Sequence, residues 1–285
     1  MTSPVTEPDT VPATTDALEI RHVRTHDEFR ACVDLQAATW GAGFRESVPA
    51  TILKVTQRLG GVTAGAFDAA GALVGFVFGI TGVERGDIVH WSDMLAVRAD
   101  VQNHGVGRRL KEFQRDAVRA LGVARMYWTY DPLVARNAHF NLNRLGARVA
   151  EYVPDMYGAD TGSAMHAGFG TDRFVVVWPV ASDGVPAGWT RVSDVGNDDV
   201  PVLNDGAGDG QSADVARLAA ALPAHVRVEI PSDIFAVQAQ SLASAVHWRT
   251  TSRRALQWAL AAGYVVERFE HDASGARGYY LLTRP

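Results

Sequence analysis

Six consecutive residues have the types and spacing to hold an anion: Gln102-Asn103-His104-Gly105-Val106-Gly107. Glycines where a strand gives way to a helix let backbone N–H groups approach a ligand without interference from Cβ. The unpaired amides and positive dipole end of the helix that follows favour a phosphate or pyrophosphate. A Walker loop needs Gly-Lys-Ser/Thr after its second glycine, and a dinucleotide fingerprint needs three glycines with an acid about 20 residues on. Neither is present. The plainer alternative is a glycine pair that only shapes a tight turn. The strand that feeds this loop, 88–97 (IVHWSDMLAV), is near-continuously apolar but carries His90, Ser92 and Asp93. A polar side chain in a buried strand costs free energy unless it is paired or serves a reaction. Asp93 and His90 have opposite parity, so without a bulge at most one of them faces a given cleft.

The loop's helix has one apolar face, Val106, Leu110, Phe113, Ala117 and Leu121, with Arg108, Lys111, Glu112, Arg115 and Arg119 on the polar side. Upstream, 18–24 reads as an edge strand. Thr25 or Asp27 caps a helix carrying Phe29, Val33, Leu35 and Trp40, which Gly41 and Gly43 end. A second short helix over 49–59 closes at Gly60-Gly61. Strands 62–67 and 72–80 join at Asp68-Ala69-Ala70-Gly71, a hairpin-length turn. Beyond Gly122 come a strand over 124–129, a break at Asp131-Pro132, a helix over 134–145 ended by Gly146, and a strand over 147–152. A long glycine-containing loop over 153–171 and a strand over 173–180 follow.

A net charge of −5 on 285 residues gives no reason to expect nucleic acid or an anionic membrane as the main partner. The single cysteine, Cys32, rules out an internal disulfide framework and fits a reducing cytoplasm. No apolar run reaches the length of a membrane span, and the first residues lack signal-peptide regions. Residues 1–16 read as a mobile tail and 181–215 as a linker with Trp189 as its anchor. The C-terminal stretch, 216–285, echoes what precedes it: a strand over 226–230, a helix about 252–262, then strands over 264–269 and 279–283.

QNHGVG resembles the Q/R-x-x-G-x-G/A pyrophosphate loop of the GNAT (GCN-related N-acetyltransferase) superfamily, which binds acyl-coenzyme A. Asn137-Ala138 and Leu145-Gly146-Ala147 in the later helix are similar to that family's pattern. WTYDPLVARNAHFNLNRLGA and TDRF resemble a subgroup of similar length. The resemblance implies a mixed α/β GNAT fold over 17–180, with a central, mostly antiparallel sheet. The stretch 216–285 is then a partial second half of the same kind, lacking the loop, or a set of strands extending the first sheet. It further implies an acyl-CoA-dependent N-acyltransferase that moves an acetyl or other short acyl group to a small-molecule amine, and no metal; an amino acid as the acceptor rests on Arg173 alone. A catalytically weak acyl-CoA sensor and a protein lysine acetyltransferase are the rival readings; a homodimer is compatible with any of them.

The resemblance also implies that transfer proceeds by direct attack through a tetrahedral intermediate. A lysine-like amine is neutral in only about one molecule in 2500 at pH 7, a deficit of about 4.6 kcal/mol, so a base is worth having. Asp93 is the first candidate base and His90 the second; a hydrogen-bonded core acid and an ordinary strand histidine are the alternatives. In the family's pattern the main chain of Leu95 and Val97 meets the thioester and pantetheine, the 102–107 loop with Arg108 or Arg109 meets the phosphates, and Asn137 meets the pantetheine arm or its own helix start. Leu142 stands where many relatives place the tyrosine that protonates the departing thiolate. Tyr130 is the substitute considered. Tyr157 and His166 are candidates to reach the acceptor, and Arg173 to clamp an acceptor carboxylate or to pair with Asp172 or Asp155.

Overall fold

The computed structural model describes residues 18–158, 161–163, 167–180, 200–204, 222–272 and 274–284. The expected tail, His166, Trp189 and most of the expected linker lie outside the described residues.

Strand β1 (Glu19–His22) leads into α1 (His26–Trp40) and α2 (Ala50–Arg58), followed by β2 (Val62–Phe67), β3 (Leu73–Glu84) and β4 (Asp87–Val97). Thr25 starts α1 with a capping box: its hydroxyl accepts from the Glu28 amide at 3.2 Å, and Glu28 accepts from the Thr25 amide. Asp68 closes the β2–β3 turn by accepting from the amides of Ala70 and Ala72 at 3.0 and 2.9 Å. Next come α3 (Val106–Arg119), β5 (Arg125–Tyr130), α4 (Ala135–Ala138), β6 (Arg148–Val153) and β7 (Arg173–Pro179). These strands form one seven-stranded sheet ordered β1-β2-β3-β4-β5-β7-β6, antiparallel except between β4 and β5. The mixed α/β class with a mostly antiparallel sheet is therefore the fold observed. Helices α1 and α2 cover one face, burying Phe29, Cys32 and Leu53 against Phe76, Phe78, Met94 and Ala96. Helix α3 covers the other with Val106, Leu110 and Val118.

Two helices depart from expectation. The single helix expected over 134–145 is α4 followed by a π-helical stretch (His139–Arg144), closed by Leu145 N–H donating to Phe140 O at 2.9 Å. Asn141 Nδ2 donates to the Asn137 carbonyl at 2.8 Å, and its Oδ1 takes Trp128 Nε1–H at 2.7 Å. A side chain competing for a helical carbonyl in this way favours a locally wider turn.

After the 200–204 segment come β8 (His225–Pro231), α5 (Ile234–Gln240), α6 (Leu242–Ala261), β9 (Val265–His271) and β10 (Arg277–Thr283). The helix expected near 252 thus begins at Leu242. Its Thr and Ser run weakened the apolar pattern, but Thr250 and Ser252 turn their hydroxyls onto the carbonyls of Val246 and Trp248 at 2.8 and 2.7 Å.

Strands β8, β10 and β9 make a separate antiparallel sheet, so they do not extend the first one. Its connectivity of strand, helix, strand, then a last strand inserted between the two, is that of β5, β6 and β7. Both sheets feed one core, where the Phe174 and Tyr280 rings meet at 5.4 Å and the Tyr280 hydroxyl donates to Pro132 O at 2.7 Å. Residues 200–204, expected as linker, run beside β8. Leu203 donates to Arg227 O at 2.8 Å, and Asn204 bonds both main-chain groups of Glu229.

Candidate active site

Strands β4 and β5 are paired at Val89/Arg125, His90/Met126 and Trp91/Tyr127, and no further. Strand β3 stays with β4 to Val97, and β7 stays with β5 to Tyr130. The sheet therefore opens into a wedge beyond Trp91, and a cavity of about 440 Å³ lies there. Its size falls within the usual range of small-molecule sites.

A bulge sets what the wedge displays. Gly79 opposes Ser92 and Phe78 opposes Met94, so Asp93 is the unpaired extra residue. Before the bulge His90 and Ser92 face α3. After it Met94 and Ala96 pack with α1 and α2, and Leu95 and Val97 take the α3 face. Arg98 N–H donates to Val74 O at 2.8 Å, so by strand alternation the N–H groups of Val97 and Leu95 point away from β3, toward the gap. The Val97 carbonyl, on that same side, is taken by Gln102 Nε2 at 2.9 Å.

The glycine loop follows. Asn103 and Gly105 have φ of +66° and +79°, the left-handed region that asparagine tolerates and glycine prefers. Gly105 is the N-cap of α3, and the first helical bond runs from Arg109 N–H to Gly105 O at 3.1 Å. Among the described residues no acceptor takes the amides of Val106, Gly107 or Arg108. A Cβ on Gly107 would meet Leu95, Phe140 and Val97 at ordinary distances of 3.7 to 4.0 Å, so this glycine fronts the wedge. The Val106 side chain is buried beneath it. His104 bonds back to Gln102 O at 2.7 Å. Arg108 is exposed and pairs with Glu112 at 2.8 Å, and Arg109 is tied to Leu18 O at 2.8 Å, away from the loop.

Asp93 lines the cavity on the side of α1. Asp93 is exposed at the mouth of the strand gap; desolvation by the surrounding walls still raises its pKa, a hydrogen bond from Trp91 opposes this, and the negative charge of Glu46 adds to it. Tyr157, Asn137 and Arg173 also line the cavity. Tyr157 shares a 3.0 Å hydrogen bond with Thr129 and lies 5.1 Å beneath the Arg173 guanidinium. Arg173 pairs with Asp131 at 3.6 Å and donates to the Asp172 carbonyl; neither the Asp172 nor the Asp155 carboxylate is its partner, since both serve Arg253. Tyr130 contributes its ring to the wall, but its hydroxyl is enclosed beside that of Tyr280. Burial raises its pKa well above that of an ordinary phenol, which suits it poorly to giving up a proton. Leu142 is buried core.

His90 is a correction. It does not line the cavity; its Nδ1 lies 3.0 Å from Thr81 Oγ1 and its Nε2 3.0 Å from Gln114 Nε2. Thr81 already donates to Gly60 O at 2.6 Å, so the proton sits on Nδ1 and Nε2 accepts from Gln114. A Cβ on Gly79 would lie 2.3 Å from that Nε2, so glycine is needed there for the pair to close. Burial lowers the His90 pKa to about 4. The unfolded chain takes up this proton below about pH 6.5 and the folded chain does not, so stability falls as pH drops from 6.5 towards 4. Wild type should lose about 2 kcal/mol from this group between pH 7 and 5. Urea titrations of wild type and His90→Gln at the two pH values measure the difference; equal acid losses would remove His90 as the cause.

Sequence reasoning missed five lining residues. Lys111 was placed on a polar face, yet it is buried, donates to Ser92 Oγ at 2.7 Å and stacks on Trp128 at 4.0 Å. Glu46 and the stacked Trp40–Phe44 pair come from the segment after α1, which only the tertiary fold brings to the wedge. Asp131 lines the floor and is gripped by Arg249 through two bonds of 2.9 and 2.6 Å. Its place after a strand end was the available signal.

No cluster of three or more His, Cys, Asp or Glu able to hold a metal occurs among the described residues, and no described helix is long and apolar enough to cross a membrane. No family model matches the chain, and no curated protein matches it either. Solved structures do match in fold. A GNAT superfamily phosphinothricin acetyltransferase from Sinorhizobium meliloti, in complex with acetyl-CoA, is 17% identical over 57% of this chain and 88% of its own, with a TM-score of 0.45. An aminoglycoside 6'-N-acetyltransferase complexed with coenzyme A is 14% identical over 58% of this chain and 99% of its own, with a TM-score of 0.45. The NatC complex bound to Gag peptide and CoA contributes a chain 15% identical over 57% of this one and 98% of its own, with a TM-score of 0.44. The likeness is one of fold alone.

Proposed function

We propose that the protein is an acyl-CoA-dependent N-acyltransferase whose acceptor is a small amine that also carries a carboxylate. The observation that carries this reading is the continuity of one groove. Unpartnered amides at the start of α3 adjoin Leu95, Val97 and Phe140 through Gly107, and Leu95 and Phe140 in turn line the cavity at the parting of β4 and β5. A diphosphate, an extended amide-bearing arm and a reactive thioester would occupy these three parts in that order. The Leu95 and Val97 amides would hold the arm and the thioester carbonyl, stabilising charge that develops on its oxygen. Asn137 stands on the opposite wall for the arm.

The acceptor approaches from the α1 side. Glu46 and Asp93 attract its ammonium, Trp40 and Phe44 flank its body, and Arg173 faces its carboxylate. Asp93 takes the ammonium proton and releases the amine to attack. Its raised pKa makes it a better proton acceptor than an ordinary aspartate, while the ionised form that acts as base is lost as pH falls through that pKa. Asp93→Asn should therefore lower the rate about 100-fold or more and flatten the acid limb of the profile. Free-thiol release measured across an amine panel from pH 5 to 9, with acetyl-CoA as donor, tests this; an unaltered acid limb removes Asp93 as base. Tight binding of acetyl-CoA with no thiol released to any amine would instead favour a sensor.

A further inference from the structure

The chain contains two lysines among its 27 Lys and Arg residues: Lys54, exposed on α2, and Lys111, buried in the wedge. Arginine serves nearly everywhere that a cation is wanted. The two differ in one chemical respect that matters here: a guanidinium does not deprotonate in proteins, whereas a buried ammonium readily does. Lys111 sits one helical turn beyond Gly107 on the same face of α3, so it lies deeper along the line that leads from the open amides into the cavity. Its nitrogen donates to Ser92 Oγ at 2.7 Å and lies 4.0 Å over the Trp128 ring. Among the described residues no carboxylate pairs with it. Two N–H groups are thus engaged, and the remaining tetrahedral position is left for whatever enters the cavity.

We propose that Lys111 is itself acylated by the acyl thioester bound in this groove. The proposal rests on the coenzyme reading given above. The Nζ lone pair attacks the thioester carbonyl, the N–C bond forms and the C–S bond breaks with its electron pair going to sulfur. One amine proton passes to that sulfur, leaving an amide on Lys111 and a free thiol, with no further reactant. Burial lowers the Lys111 pKa and so favours its neutral amine, whereas a lysine of ordinary pKa is neutral in only about one molecule in 2500 at pH 7. The amide no longer carries an amine, so the modification removes the nitrogen nucleophile that Lys111 presents to the cavity.

The full chain incubated with acetyl-CoA, sampled over time and mapped by peptide mass spectrometry, tests this with Lys54 as internal reference. Acetylation of Lys111 should run at least about tenfold ahead of Lys54. Excess free coenzyme A should suppress it, and the preference should vanish in urea-unfolded protein. Lys111→Arg should abolish the label there and leave that on Lys54 as before. Calorimetry with acetyl-CoA on the same sample separates the two failures. Binding without acetylation of Lys111 overturns the proposal and spares the function; absence of binding overturns both.

Discussion

Gly107→Asp should weaken acetyl-CoA binding about 100-fold or more, close to 2.8 kcal/mol, while leaving the protein as stable as wild type or slightly more so. The two halves of that expectation have different causes. Gly107 lies in the first turn of α3, where a carboxylate interacts favourably with the helix dipole and aspartate improves on glycine's helix propensity. A Cβ at this position finds only ordinary contacts at 3.7 to 4.0 Å, so nothing in the fold resists it. The same carboxylate, however, projects where the unpaired amides would hold a diphosphate, and like charges meet there. Gly107→Ala supplies the control, with little change in affinity. Calorimetry with acetyl-CoA and urea unfolding on all three proteins decide the matter; a folded Gly107→Asp protein of unchanged affinity would end the coenzyme reading.

Arg249→Met should cost about 3–5 kcal/mol of stability, because it strands the Asp131 carboxylate at the cavity floor. Arg249 is 4% exposed and Asp131 7%, and their bidentate contact joins α6 of the C-terminal half to the end of β5. Arg173 remains 3.6 Å from Asp131, too loose to replace two short bonds. Asp131→Asn on top of Arg249→Met should recover most of the loss, since the asparagine oxygen can still accept from the Leu133 amide as Asp131 does at 2.8 Å. The double-mutant cycle in urea measures the coupling; strictly additive losses would show that the pair contributes little.

How much of this was legible beforehand follows from the range of each signal. Local signals carried far: the capping residue Thr25, the Asp68 turn, the glycine that turns positive at 105 and the strand bounds of β2 and β4 are all set by neighbours within a few residues. Lys111 was misread because a helical period distinguishes apolar from charged side chains. It cannot reveal that a charged position faces a gap between two strands, where a long amphipathic side chain is buried up to its nitrogen. His90 was misread because burial among Thr81, Gln114 and Gly79 depends on partners from β3 and α3. Arg249 carried no local signal at all; its partner is 118 positions away. The C-terminal strands were visible as pattern, but whether they joined the first sheet depended on edge pairing that a linear pattern does not encode.

The extra residue in β4 reaches beyond its own position. Strand side chains alternate with a period of two, so one inserted residue inverts the phase of everything after it. With it, a single strand serves two doorways: Asp93 lines the cavity where the proposed acceptor would enter, while Leu95 and Val97 stand on the side from which a coenzyme would come. The inversion depends on residue 93 staying out of the ladder. Were it to take a regular paired place there, Met94 and Ala96 would turn toward α3 and Leu95 and Val97 toward α1, turning the strand inside out just where the sheet parts; deleting it would remove the carboxylate and leave those four side chains on their present faces.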